Sequence, residues 1–178
     1  MGLWKVWILT LAGGRLHYVP DGTEVDRLPG MRWAPSVTVA AVIREQDRYL
    51  MVEERPDGHA VINQPAGHLE FGESLLDAVQ REVQEETGRR FAPIGLVGVY
   101  QWTVPDTERS FLRFCFCGSV SPPLQGAVLD PEIYATHWLS VDEIATGTLP
   151  TRSPLVLRCI HDTLRRSPLG LDALHALA

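Results

Sequence analysis

Gly67–Arg89 reads GHLEFGESLLDAVQREVQEETGR, a glycine-bearing loop that runs into a carboxylate-rich helix. Gln64-Pro65-Ala66-Gly67, with Gly72 five residues on, supplies a turn whose backbone can approach a ligand closely, because glycine tolerates conformations that other residues do not. Ser74 is an N-cap, Leu76, Val79 and Val83 recur at helical spacing, and Gly88 is a C-cap, so the helix spans the residues between Ser74 and Gly88. At about 100° per residue, Glu82, Glu85 and Glu86 share one stripe beside the apolar face. There they repel one another and call for a cation. Carboxylate oxygens suit Mg²⁺ or Mn²⁺, which leave coordination positions for water and phosphate oxygens. Three glutamates alone more often make a solvated acidic face. The spacing around them decides.

Gly67, then Glu73, then Arg-Glu-Val-Gln-Glu-Glu-Thr-Gly from Arg81 to Gly88 resembles the Nudix box, the signature of Mg²⁺-dependent pyrophosphohydrolases. Arg89 departs from that pattern, which ends there in an aliphatic residue, and this bears on packing behind the loop. PSVTVAAVI, LMVEE, NQPAGHLE, QW before a proline, FLRF and RSPLV extend the resemblance over roughly Pro35 to Arg166. They point to the NudJ-type phosphatases of that family. The resemblance implies a mixed sheet sandwiched between helices, an α/β/α arrangement. It also implies hydrolysis of hydroxymethylpyrimidine pyrophosphate, a thiamine precursor, and of nucleoside di- and triphosphates. Pattern alone gives α/β or α+β.

The composition agrees with one enzyme domain. The chain has 178 residues, 45% of them hydrophobic, and a net charge of −6, which lacks the basic face that nucleic acid requires. An acidic protein that takes a phosphorylated ligand needs metal to neutralise the site. The three cysteines form no C-x-x-C pair; Cys115 and Cys117 share a strand face as small hydrophobes, and a reducing cytoplasm fits. Nothing is apolar enough for long enough to span a membrane. The chain reads as a monomer or homodimer acting on a small phosphorylated substrate.

Residues 1–35 read as an N-terminal extension, with Met31 an alternative start; Lys5 and the apolar run Val6 to Ala12 make a poor signal peptide, and Val6 excludes myristoylation. The core domain, 36–166, opens with SVTVAAVI (36–43), a strand buried on both faces. Strands follow at 48–54, 94–103, 110–120 and 136–139. Ser140 caps a short helix to Ala145, and Ser153-Pro154 opens one to about Arg166. In the tail, 167–178, Leu171, Leu174 and Leu177 form an apolar stripe for the domain or a partner.

Water must attack phosphorus, so positioning and charge stabilisation dominate. Glu82, Glu85 and Glu86 are the metal-ligand candidates. The resemblance adds the Gly67 carbonyl as a ligand, Arg81 as the partner that orients the carboxylates, and Glu73 as a brace at the loop-helix junction. By helix geometry Arg81 lies off the glutamate stripe, about 100° from Glu82, which reads as a structural ion pair. The base is a free box glutamate or a carboxylate from a distant loop; Glu132 in Asp130-Pro131-Glu132 is either that base or an ordinary loop residue. Arg113 interrupts FLRFCF, so it faces solvent or grips phosphate bidentately. Trp102 and Tyr100 stack on a substrate ring or cover the sheet, and Asn63 and Gln64 are candidates for base-reading amides. His59, His68 and His137 lack zinc spacing. Two rivals stand beside the NudJ-type reading. One is a pyrophosphatase for ADP-ribose or a damaged nucleotide. The other is a non-catalytic sensing module, which the complete glutamate cluster disfavours.

Overall fold

A computed structural model describes residues 33–177, of which Pro35 onward form one compact unit. The expected N-terminal extension, with the alternative start at Met31, lies outside the described residues except for its last three positions.

The unit is built on β1 (Ser36–Glu45), which belongs to two groups of strands at once. β2 (Arg48–Glu54), β3 (Val61–Asn63) and β4 (Ala66–His68) precede the long helix α1 (Leu75–Thr87). β5 (Phe91–Thr103), β6 (Ser110–Val120) and β7 (Ile133–Ser140) follow, then α2 (Val141–Thr146) and α3 (Leu155–Arg165). The sheet runs β3-β2-β1-β6-β5, with β4 paired to β1 and β7 to β2. β1 and β6 are parallel from Ser36↔Phe111 to Ile43↔Gly118, while the other pairs are antiparallel, so the sheet is mixed.

The apolar run of β1 now has its reason. Val39, Ala41 and Ile43 enter the cluster under α1 with Leu50, Val79, Val83 and Phe116. Ala40 and Val42 enter the opposite cluster under α3 with Met51, Cys115, Val156, Cys159 and Ile160. Successive side chains of a strand point to opposite faces, so a strand covered on both sides is apolar throughout. Each large aliphatic side chain so buried contributes about 1.5–3 kcal/mol.

α1 keeps the expected limits. Ser74 accepts a hydrogen bond from the Asp77 amide, and Gly88 closes the helix with φ of 65°. A Cβ at Gly88 would press on Ala127, so both its conformation and its surroundings require glycine. Arg89, the departure from the box pattern, is accommodated by donating to the Ser121 carbonyl (3.0 Å) and standing over the Trp138 ring. β5 begins at Phe91 rather than Ile94, because the register shift between Pro93 and Gly95 accommodates the proline within a strand. β3 and β4, at three residues each, are too short to show a period.

The tail docks on this unit. Leu169 exchanges two backbone hydrogen bonds with Leu96 (2.9 and 2.8 Å), which protects part of the β5 edge, and Leu171 and Leu174 pack under the α1-side cluster. Leu177 is exposed. Among the described residues, no helix is long and apolar enough to cross a membrane.

α3 is fastened by Asp162, whose carboxylate is 4% exposed as a residue and takes hydrogen bonds from Tyr100 (3.0 Å), Arg158 (3.0 Å) and Arg166 (2.9 Å). Burial pushes this carboxyl up, but the hydrogen bonds from Arg166, Arg158 and Tyr100 outweigh it and bring it from 3.8 to about 2. A depressed folded-state value means stability that is full above the unfolded value and lost as pH falls through the folded one. Asp162→Asn should therefore lower stability at pH 7 by on the order of 1 kcal/mol, discounted because both arginines are largely exposed. The gap from the natural protein should close between about pH 4 and pH 2, as urea titrations across that range would show.

Candidate active site

Helix α1 lies against β4, and its carboxylates meet that strand's backbone. Glu82 and Glu86 are buried, at 9% and 8% exposure, while Glu85 is exposed. The Glu86 carboxylate accepts a hydrogen bond from the Ala66 amide (2.8 Å). The Glu82 carboxylate occupies the place where a Cβ at Gly67 would stand, so that glycine is dictated by the close approach of the two elements.

Arg81 reaches the stripe that helix geometry alone puts out of its line. Its Nη1 donates to Glu82 (2.8 Å) and Glu85 (3.0 Å), its Nε and Nη2 to Glu73 (3.1 and 2.8 Å), and its Nη2 also to the His68 carbonyl (3.0 Å). All five guanidinium N–H donors are thereby engaged. The expected separation of about 100° is true of the backbone, and the long side chain spans it. Glu73 also accepts from the Glu70 amide (2.6 Å), which ties the loop to the start of the helix. Arg81 and Glu73 thus hold two of the three box carboxylates in place, Glu82 and Glu85.

The electrostatics separate these acids. Hydrogen bonds from Arg81 hold Glu73 below the usual carboxylate range. Burial pushes Glu82 up despite Arg81, and pushes Glu86 well up, where the negative charges of Glu54, Glu82 and Asp130 add to the effect. Two acids outside the box therefore lie close enough for their charges to act on Glu86. Glu54, at the end of β2, accepts from the Asn63 amide (2.7 Å) and pairs with Arg152 (3.4 Å). Asp130 is tied to α1 through its amide, which donates to the Glu85 carbonyl (2.8 Å). Neither stood out in the sequence, although Glu54 closes LMVEE and Asp130 opens the loop of Glu132.

Among the described residues, no three acid, imidazole or thiol groups stand ready-made in ligating geometry; Arg81 engages Glu82 and Glu85, and the Ala66 amide engages Glu86. The donor set still fits a hard divalent cation. Glu86 is buried, has one amide as its hydrogen-bond donor and faces three like charges, an imbalance that positive charge would offset.

The other residues singled out in the sequence are distributed differently. Asn63 is spent on orienting Glu54 and on the Gln64 amide. Gln64 is 1% exposed and donates to the Val156 carbonyl (3.1 Å). Asn63 thus joins β3 to β2, and Gln64 is held against α3 by its Nε2 while its Oε1 has no hydrogen-bond partner among the described residues. Tyr100 is likewise engaged with Asp162. Trp102 stacks on Phe111 at 5.8 Å. Glu132 is exposed, with its amide donating to Asp130 (2.8 Å). Arg113 is buried on the α3 side of the sheet, across from the glutamates.

Comparison with known proteins gives this arrangement its relatives. The family model for the NUDIX domain matches residues 32–159. The phosphatase NudJ of Escherichia coli K12 is 40% identical over 140 residues, covering 77% of this chain and 90% of the relative. A NUDIX hydrolase structure from Nitrosomonas europaea superposes with a TM-score of 0.77 at 46% identity, covering 81% of this chain and 98% of that one. The NUDIX domain of Shewanella oneidensis NrtR, solved with ADP ribose, shares the fold at 18% identity and a TM-score of 0.59.

Arg81→Lys tests the brace. Lysine keeps the charge but cannot serve Glu73, Glu82, Glu85 and the His68 carbonyl at once. Mn²⁺ binding, measured by calorimetry, should weaken by roughly 10–100-fold, as for loss of a residue that orients metal ligands, with the helical circular-dichroism signal unchanged.

Proposed function

The chain belongs to the Nudix family, and from that premise we propose that it is a Mg²⁺- or Mn²⁺-dependent phosphatase of the NudJ type, cleaving a phosphoanhydride of a small organic pyrophosphate or nucleotide. The observation that carries this reading is the burial of Glu82 and Glu86 against Gly67 and Ala66, beside Glu54 and Asp130. The 40% identity to phosphatase NudJ supports the choice of branch. Hydroxymethylpyrimidine pyrophosphate and nucleoside di- and triphosphates are the substrates that follow.

Glu82, Glu85 and Glu86, with the Gly67 carbonyl, would hold the cation. When bound, it supplies positive charge to the phosphoryl oxygens and lowers the pKa of water. Arg81 keeps Glu82 and Glu85 aimed, and Glu73 keeps Arg81 aimed. The attacking water needs a carboxylate to take its proton within hydrogen-bond reach. Glu85, exposed and hydrogen-bonded through its carboxylate to Arg81, is one such group if the cation does not fully engage it. Glu132 is the other, in a loop tied to α1 through Asp130 and Glu85. Because the reaction asks for little covalent chemistry from the protein, fixed positions matter more than nucleophilic strength.

Phosphate release with Mg²⁺ from hydroxymethylpyrimidine pyrophosphate, ADP-ribose and common nucleotides tests the reading. Orthophosphate from a terminal position is expected, and Glu86→Gln should lower kcat/KM by roughly a hundredfold or more. AMP plus ribose phosphate from ADP-ribose would select the nucleotide-sugar pyrophosphatase instead. No turnover by folded protein would select a sensing domain.

A further inference from the structure

We propose that Thr38 and Arg113 form an oxyanion subsite on the α3 side of the sheet, which takes a phosphate or carboxylate group of the substrate at a distance from the glutamates. As a statement about substrate it rests on the hydrolase reading above; as a statement about anion binding it does not.

The strand register builds the subsite. His68 pairs with Thr38, Thr38 with Arg113, and Arg113 with Tyr100, so the four residues form one row across β4, β1, β6 and β5. Residues paired in this way project from the same face of a sheet. The next residue of β1, Val39, pairs with Gly67 and faces α1. Thr38 and Arg113 therefore face the other way, with Ala40 and Cys115.

Both side chains are buried and unsatisfied. Arg113 is 8% exposed and Thr38 5%, yet Nε and Nη1 of the arginine and the threonine hydroxyl have no hydrogen-bond partner among the described residues. Arg81, by contrast, has every donor engaged. Asp162, bonded to Arg113's row neighbour Tyr100, is already committed to that hydroxyl and to Arg158 and Arg166. A buried guanidinium with unmade bonds is a standing cost, which a folded protein bears where a ligand completes it.

The ligand's chemistry follows from the donors. A guanidinium donates only, its planar fork matches two oxygens of a phosphate or carboxylate, and the Thr38 hydroxyl adds a further donor. An oxyanion fits and a cation does not. Strands lie about 4.8 Å apart, so Arg113 stands two strands, roughly 10 Å, in from β4, which carries Gly67. Arg113 and the glutamates are on opposite faces of the sheet, so a ligand that engages both passes around β4, which pairs with β1 alone among the named strands. Two residues further along the same face, the stacked rings of Trp102 and Phe111 border the subsite. The substrate class is thus a pyrophosphate long enough to carry a second oxyanion around β4 to the α3 side of the sheet. That oxyanion belongs either to the polyphosphate itself or to a charged organic part.

The test uses the full chain with EDTA present, and pyrophosphate as probe. Melting temperature and calorimetric affinity are compared for the natural protein, Arg113→Met and Thr38→Val. Without anion, Arg113→Met should melt no lower than the natural protein, since an unpartnered buried charge is removed. Pyrophosphate should bind it roughly tenfold or more weakly, with Thr38→Val in between. Where pyrophosphate affinity is unchanged, KM is compared for substrates with neutral and with phosphate- or carboxylate-bearing organic parts. A rise confined to the anionic ones in Arg113→Met supports the subsite and assigns the oxyanion to the organic part. Unchanged pyrophosphate affinity together with unchanged KM values in both variants overturns the proposal, whatever the melting temperatures. The two ideas fail separately: if the natural protein hydrolyses nothing yet pyrophosphate binding depends on Arg113, the hydrolase reading fails and the subsite stands.

Discussion

Two glutamate side chains of α1 are pressed into the backbone of β4, and most of the structure serves that contact. Glu82 fills the space a side chain at position 67 would need, and Glu86 reaches the Ala66 amide. Burying carboxylates is unfavourable unless charge or hydrogen bonds compensate. Arg81 compensates Glu82, but Glu86 has one amide against the charges of Glu54, Glu82 and Asp130. The interface is thus built with negative charge in excess, which is what a site for a hard divalent cation and its anionic substrate requires.

β1 connects this contact to the rest of the molecule. Its alternate residues serve two cores, so α1 and α3 are fixed to opposite faces of one strand. Val39 stands beside Gly67 on the glutamate side, while its neighbour Thr38 stands beside Arg113 on the other. A single step along the strand therefore links an acidic, cation-seeking face to a donor-rich, anion-seeking one. The two arginines divide the same way: Arg81 is saturated by the protein, and Arg113 is left for a ligand.

The loop-helix and the long strands were legible because each carries its own local signal. Ser74 and Gly88 mark the ends of α1, and the unbroken apolar run of β1 announces burial on both sides. The two three-residue strands were not, since a strand so short has no period, and their pairing is decided by β1 and β2. In the site, residues close in sequence could be grouped from helix geometry, apart from Arg81, whose reach exceeds its angular position. Glu54 and Asp130 could not be found this way, because they come to Glu86 only through the pairing of β2 and the tether from Asp130 to Glu85. Asn63, Gln64 and Tyr100 show the limit from the other side. A polar group in a strand pattern gives no sign of which neighbouring element it meets, and each of these three donates to one: Glu54, the Val156 carbonyl and Asp162.

The central claim is that the glutamate helix and β4 together hold a divalent cation. Titrating ¹⁵N-labelled protein with substoichiometric Mn²⁺ and following paramagnetic loss of amide signals tests it most directly. The account predicts that the amides of Ala66 and Gly67, those of Glu82 to Glu86, and that of Glu54 are lost first, together, and are restored by excess Mg²⁺. Loss centred instead on an exposed acidic stretch such as Asp142-Glu143, or spread evenly over the surface, would contradict it.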